Sequence, residues 1–252
     1  MKQRASYGID APRVVYGHIA FGGILAAAAT IGFTCPPPNS VPASLSIGSA
    51  VIASVLLLYA AVMLWSSLVG KKRVCDRLVT ALALSGHEQV LDAGCGRGLA
   101  LIACAKKLTT GKAVGIDLWA AKDQSNNNPN ATLANAALEG VADRVEVKTG
   151  DITSLPFPDV SFDAVISMLV LHNIPSRQAR DEALRELVRV LKPGGRMVLF
   201  DLMHASRYTE VMQDAGLTVE VLARDFLWLV PCRSLLARKP SQTARLSAPH
   251  FS

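Results

Sequence analysis

Charge is missing from one long stretch of this chain. Between Val14 and Gly70 there is no Asp, Glu, Lys or Arg. Cysteines are few and scattered: Cys35, Cys75, Cys95, Cys104 and Cys232 form no C-x-x-C pair and have no histidine partner at metal spacing. Neither a disulfide framework nor a zinc site is indicated, and a reducing compartment fits the four in the second part of the chain. No internal repeat is present. The net charge of +6 is also missing from most of the chain. Val74 to Cys232 holds 16 basic and 19 acidic residues. The basic excess sits in three flanks: Lys2, Arg4 and Arg13; Lys71 to Arg73; and the tail from Arg233. Two of these border the uncharged stretch. That placement argues for charge at a membrane surface and against a nucleic-acid partner.

What is present begins with two apolar runs. Val14 to Phe33 is the first, with Leu45 to Val69 inside the second, and TCPPPNSVP from Thr34 to Pro42 breaks the chain between them. Each run reaches the roughly 20 residues that cross a hydrocarbon core. Basic residues lie outside both runs and none lies between them. The positive-inside rule then predicts a two-helix hairpin with both ends cytoplasmic. Tyr59 and Trp65 are candidate interface anchors, and His18 reads as a neutral, interface-reaching side chain. A cleaved signal peptide or two buried soluble helices are the alternatives. The expected organisation is a hairpin over residues 1–70, a globular domain over 71–238, and a basic tail over 239–252 with no apolar period, which predicts disorder.

After an amphipathic helix over Lys71 to Leu84, strands and helices alternate. Strands are expected at Gln89–Asp92, Lys112–Asp117, Val145–Lys148, Phe162–Ser167 and Arg196–Asp201, with a final pair at Leu217–Ala223 and Leu229–Ala237. Helices are expected at Asn130–Glu139, Ser176–Leu191 and Tyr208–Ala215, and Pro193-Gly194-Gly195 reads as the stop of the second of these. Alternation of this kind gives an α/β fold, a largely parallel sheet with helices on both faces.

In such sheets ligands lie across the carboxyl ends of the strands. Strand one ends in VLDAGCGRG, Val90 to Gly98, a glycine turn opening a helix. Strand two ends in Asp117. Gly150-Asp151-Ile152 follows strand three, and Ser167-Met168 through His172-Asn173 follow strand four. A carboxylate after strand two can take both hydroxyls of a ribose. A dinucleotide site is disfavoured, because the loop reads D-x-G-C-G-x-G instead of G-x-G-x-x-G and Asp151 has no place in that fingerprint. Asp151 also reads as a cap for the turn after it. Asp201 reads equally as pocket lining or as a helix cap, and SNNNPN from Ser125 to Asn130 as a solvent loop or a lid.

These motifs resemble class I S-adenosylmethionine-dependent methyltransferases. VLDAGCGRG resembles that family's first motif, and VGIDL, TGDITSLPFPDVSFDAVIS and LKPGGRMVLFD resemble its later ones, in order. The likeness covers Val74 to Ala237 and is nearest to the small-molecule group that includes ubiquinone and menaquinone C-methyltransferases. It implies a Rossmann-like, seven-stranded, mostly parallel sheet and S-adenosyl-L-methionine as cofactor. By this resemblance Gly94, Gly96 and Gly98 pass under the cofactor, Asp92 orients the loop, and Cys95 packs within it. Asp117 takes the ribose with Leu118 against the adenine, Asp151 takes the adenine amino group with Ile152 on the other face, and Ser167 and Met168 lie near the methionine. His172 is the candidate base, with pocket wall as its alternative, and Asn173 the candidate orienting group. The hairpin lies outside the resemblance. It points to a lipophilic acceptor held at the bilayer, with a soluble small molecule or a non-catalytic binding protein as the alternatives.

Overall fold

A computed structural model describes residues 4–35, 42–120, 124–227 and 229–241. Most of the proline-rich break and of the basic tail lie outside the described residues.

The uncharged stretch forms two antiparallel helices, α1 (Pro12–Thr34) and α2 (Ala43–Trp65), each of 23 residues. At 1.5 Å per residue each is about 34 Å long. Their contact is a seam of mostly small side chains seven residues apart: Val15, Gly22 and Ala29 on α1, Ser46, Ala53 and Ala60 on α2. Small residues let the backbones approach; a Cβ on Gly22 would sit 3.0 Å from Leu57 Cγ. The remaining faces expose Phe21, Ile24, Ile31, Phe33, Ile52, Val55 and Leu58. Both helices are long and apolar enough to cross a membrane, and only 17% of each apolar window is buried. His18 bonds back to the Val14 carbonyl and its ring meets Tyr59 at 5.3 Å.

Below α2 the helix does not stop. One π turn, Ser66–Gly70, passes into α3 (Lys71–Ala81), which seats Val74, Cys75 and Leu78 in the core of the domain. The Arg73 guanidinium lies 6.0 Å from the Trp65 ring.

Seven strands follow: β1 (Gln89–Ala93), β2 (Lys112–Asp117), β3 (Val145–Thr149), β4 (Phe162–Met168), β5 (Leu191–Asp201), β6 (Thr218–Leu227) and β7 (Val230–Arg238). The order is β3-β2-β1-β4-β5-β7-β6; the first five are parallel, and β7 runs antiparallel to both β5 and β6. The central strands are near-continuous apolar runs because both faces are covered. On one face α3 and α4 (Leu99–Ala105) pack Leu78, Leu101 and Ile102; on the other α6 (Arg177–Val190) and α7 (Ala205–Asp214) pack Leu184, Leu187 and Met212. Ser176 caps α6 by accepting from the Ala179 amide at 3.0 Å.

The largest departure from the expected boundaries is at the start of β5. Pro193-Gly194-Gly195 does not stand outside the strand as a simple stop. β5 already pairs at Leu191, and the register with β4 slips between Phe162 and Ala164, so the three residues form an irregular strand entry. Gly194, at φ 79°, supplies the conformation that bulge needs.

Candidate functional site

The parallel register brings Asp92, Gly115 and Ile166 side by side, and Asp117 beside Thr149. The carboxyl ends of β1, β2, β3 and β4 therefore share one edge, where a cleft of about 450 Å³ opens.

Its floor is the loop after β1. Gly94, Gly96 and Gly98 all have positive φ, which side chains disfavour. At Gly94 a Cβ would lie 2.4 Å from Val170 Cγ2. The amides of Gly94 and Cys95 donate to the Ile116 carbonyl at 2.8 and 3.1 Å, tying the loop to β2. Gly96 N donates to Asp117 Oδ2 at 2.8 Å. Below, Thr132 Oγ1 donates to the Gly96 carbonyl at 2.6 Å and Asn135 Nδ2 to the Arg97 carbonyl at 3.0 Å, both from α5 (Pro129–Leu138). Cys95 is buried, with its sulfur facing the space above Gly115.

Asp92 is 2% exposed, and its Oδ2 has no hydrogen-bond partner among the described residues. Burial pushes its carboxyl up to about 7, with the charge of Asp117 adding to the effect. It lines a recess of about 70 Å³ that adjoins the cleft, together with Cys95, Met168 and Leu169.

Asp117 stands on the cleft wall. Besides Gly96 it accepts from Trp119 N at 2.6 Å and from Asn127 Nδ2 at 3.3 Å, both on Oδ1. Leu118 is 61% exposed beside it. Asp151 and Ile152 form the facing wall. Asp151 Oδ1 accepts from the Thr153 amide at 2.9 Å, so the capping turn is real, and its other oxygen stays free of it.

Strand four delivers its residues unequally. Met168 lines the recess and Asn173 the cleft. Ser167 is buried and donates to the Ala93 carbonyl at 2.8 Å, which binds β4 to β1 and turns it away from the cleft. Gly98 likewise stands off the cleft: at φ 84° it starts α4, and a Cβ there would strike Thr132. His172 faces Asp201. Its amide donates to Asp201 Oδ2 at 3.0 Å and its Nδ1 meets Oδ1. Asp201 also accepts from Tyr208 and Leu202. It is a buried anchor for the turn at 171–173, so neither reading of Asp201 describes its place.

Several residues at the site have no counterpart in the motifs. Asp10, Gln124 and Asn127 line the cleft, and Lys71 the recess. The polar loop at 125–128 is pinned: Ser125 Oγ accepts from Ile9 N at 3.0 Å, Arg97 binds the carbonyls of Ser125 and Asn126, and Asn128 caps α5. Lys71 is 3% exposed, so it adds nothing to the charge facing a membrane surface. Its contacts run to the Tyr7 and Gly8 carbonyls and to Asp10, and burial lowers its pKa against the pull of Asp10. The one available signal was that Asp10 is the only acid ahead of the apolar stretch.

A glycine loop under an open cleft, with acids at successive strand ends, is the arrangement of a nucleoside-binding α/β domain. Known proteins narrow this. Residues 91–199 match the family described as a methyltransferase domain. The chain is 35% identical over 131 residues to the 27-O-demethylrifamycin SV methyltransferase of Amycolatopsis mediterranei, covering 52% of this chain and 44% of that one. It is 38% identical over 121 residues to the demethylmenaquinone methyltransferase of Lactiplantibacillus plantarum, covering 47% and 46%. The chain thus spans less than half the length of these relatives. In fold it is similar to the magnesium protoporphyrin IX methyltransferase of Synechocystis with bound S-adenosylhomocysteine, at TM-score 0.56 and 18% identity over 68% of this chain and 84% of that one. The globular part is thus similar to methyltransferase domains in sequence over residues 91–199 and in fold, and S-adenosyl-L-methionine is the cofactor these comparisons support. The residues fit that group: the glycine loop leaves a cradle that a Cβ would fill, and Asp92 presents an unpartnered carboxylate oxygen beside it.

Proposed function

We propose that the protein is a membrane-anchored methyltransferase that methylates a small lipophilic acceptor. The observation that carries this reading is one uninterrupted helix, Ala43 to Ala81, which is apolar and largely uncovered at its start and built into the core of the domain at its end. It holds the cleft at a fixed, short distance from whatever covers the apolar half. In water those flanks would be an exposed patch far larger than soluble monomers carry. In a bilayer they are solvated, and Arg4, Arg13, Lys72 and Arg73 gather at the two ends attached to the domain, which supports a domain on the cytoplasmic side.

The bound cofactor supplies an electrophilic methyl group on a sulfonium. The chain positions and excludes. Asp117 has about four acceptor sites and spends three on the chain, leaving room for a ribose hydroxyl, with the long Asn127 bond the easiest to exchange. Leu118 and Ile152 would sandwich the adenine, Asp151 would accept from its amino group, and Gly94 and Gly96 would admit the tail over bare backbone. Met168 would flank the tail. Ser167, Cys95 and Gly98 act by shaping the loop and strands around it.

His172 is the positioning partner of Asp201 in this reading: two bonds from one residue fix the turn that presents Asn173 to the cleft. Proximity and alignment then carry most of the catalysis. His172→Gln should lower kcat modestly and leave the pH profile of the rate unshifted; loss of the acidic limb, where the rate rises with pH, would make His172 the base instead.

The test of the whole reading is incubation of the full chain, reconstituted in vesicles, with methyl-labelled cofactor and total membrane lipids. Label entering an organic-soluble product supports a lipophilic acceptor. Label confined to water-soluble acceptors reduces the hairpin to a tether, and no transfer to either leaves only a cofactor-binding protein.

A further inference from the structure

Residues 5–10, just ahead of α1, lie across the methyltransferase domain as a strap. Ser6 exchanges two bonds with Asn135, at 3.0 and 2.9 Å. Gln124 Nε2 donates to the Tyr7 carbonyl at 2.9 Å, and Ile9 N to Ser125 Oγ. The buried Lys71 ammonium gathers the Tyr7 and Gly8 carbonyls and Asp10 Oδ1 within 3.0 Å. Asp10 N donates to Ser67 Oγ at 3.2 Å.

This network fixes Asp10 where the 450 Å³ cleft and the 70 Å³ recess meet, for it lines both. Lys71 occupies Oδ1. Oδ2 is buried and has no hydrogen-bond partner among the described residues. Asp92, which also lines the recess, carries a second such atom, Oδ2. Two sealed carboxylate oxygens without donors are costly unless a cation meets them. The recess is too small for a nucleoside but suits a primary ammonium. It lies at the glycine-loop and Met168 end, away from the Asp117–Asp151 walls.

We propose that Asp10 binds the α-ammonium of the cofactor's amino-acid tail, making the strap ahead of α1 a wall of the cofactor site. The inference rests on the cofactor reading above. It also ties cofactor binding to the hairpin, since Asp10 lies two residues before α1 begins.

The test is calorimetric titration of the full chain in detergent with three ligands: S-adenosylhomocysteine, its analogue lacking only the α-amino group, and 5′-methylthioadenosine, which lacks the amino-acid tail. Asp10→Asn should weaken S-adenosylhomocysteine about 10- to 100-fold, the size of a lost charge-assisted hydrogen bond. It should change binding of the other two by less than twofold. Equal weakening of all three ligands, or of none, overturns the proposal. Should Asp10→Asn fail to fold, Asp10→Glu, which keeps a charge for Lys71 on a longer arm, must narrow the preference for the amino-bearing ligand, and an unchanged preference overturns it. If the wild-type chain binds none of the three, the cofactor reading itself fails, and this inference with it.

Discussion

Replacing Gly94 with alanine strains the chain in two separable ways. The residue sits at φ 79°, where a side chain costs about 1–2 kcal/mol. The new Cβ would also lie 2.4 and 2.5 Å from the two γ-methyls of Val170, and overpacking of that kind costs about 1–3 kcal/mol. The sum is about 2–5 kcal/mol. For a domain of this size that lowers Tm by roughly 5–15 °C. Val170→Ala removes both methyls, so in the double variant the second cost should vanish while the first remains, recovering about half of the loss. The assay is heating with a thiol-reactive dye, because Cys75, Cys95, Cys104 and Cys232 are buried in the domain and react only on unfolding. Val170→Ala alone serves as the control for lost packing, and the coupling energy isolates the clash. An identical drop with and without Val170→Ala would refute the clash, and no drop at all would refute the loop conformation.

Three further outcomes are expected. Asp117→Ala should weaken S-adenosylhomocysteine about 10- to 100-fold in calorimetry, and unchanged affinity would remove Asp117 from the ribose. Glu88 is held at about 2 because hydrogen bonds from Ser85 and Gly86 outweigh the opposing effect of burial. That depression stabilises the fold by about 3 kcal/mol above the usual carboxylate value near 4.5 and fades as pH falls from there toward 2. Glu88→Gln should therefore melt below wild type at pH 7, with the gap narrowing below about pH 4.5 and closing only near pH 2, and a gap independent of pH would contradict the assignment. Cys35 caps the end of α1 far from the domain and is only partly covered. If both hairpin ends are cytoplasmic, an impermeant maleimide should label it from outside intact cells; labelling only after lysis would overturn the topology.

The legible part of the molecule is the part specified by short-range pattern. Alternation of apolar runs with amphipathic ones gives β1 to β5 within a residue or two at most boundaries, because a strand covered on both faces must be apolar throughout. The acids at strand ends are legible for the same reason, since a polar residue closing such a run has only the carboxyl edge of the sheet to face. Backbone irregularity is less visible. The entry to β5 reads as a stop because Pro193-Gly194-Gly195 looks like a turn in isolation, whereas the pairing of Leu191 with Phe162 is a tertiary fact. Ser167 shows a similar gap: its spacing puts it at the cleft, and the free Ala93 carbonyl draws it to the neighbouring strand. The strap is the extreme case. Lys71 reads as one of three surface cations, yet it is sealed in the protein. Nothing within reach along the sequence indicates that its partners lie 61 to 64 residues earlier, across a two-helix excursion. A buried lysine is tolerable only when its donors are met. Those contacts therefore require both ends of the hairpin to return to the same face of the domain.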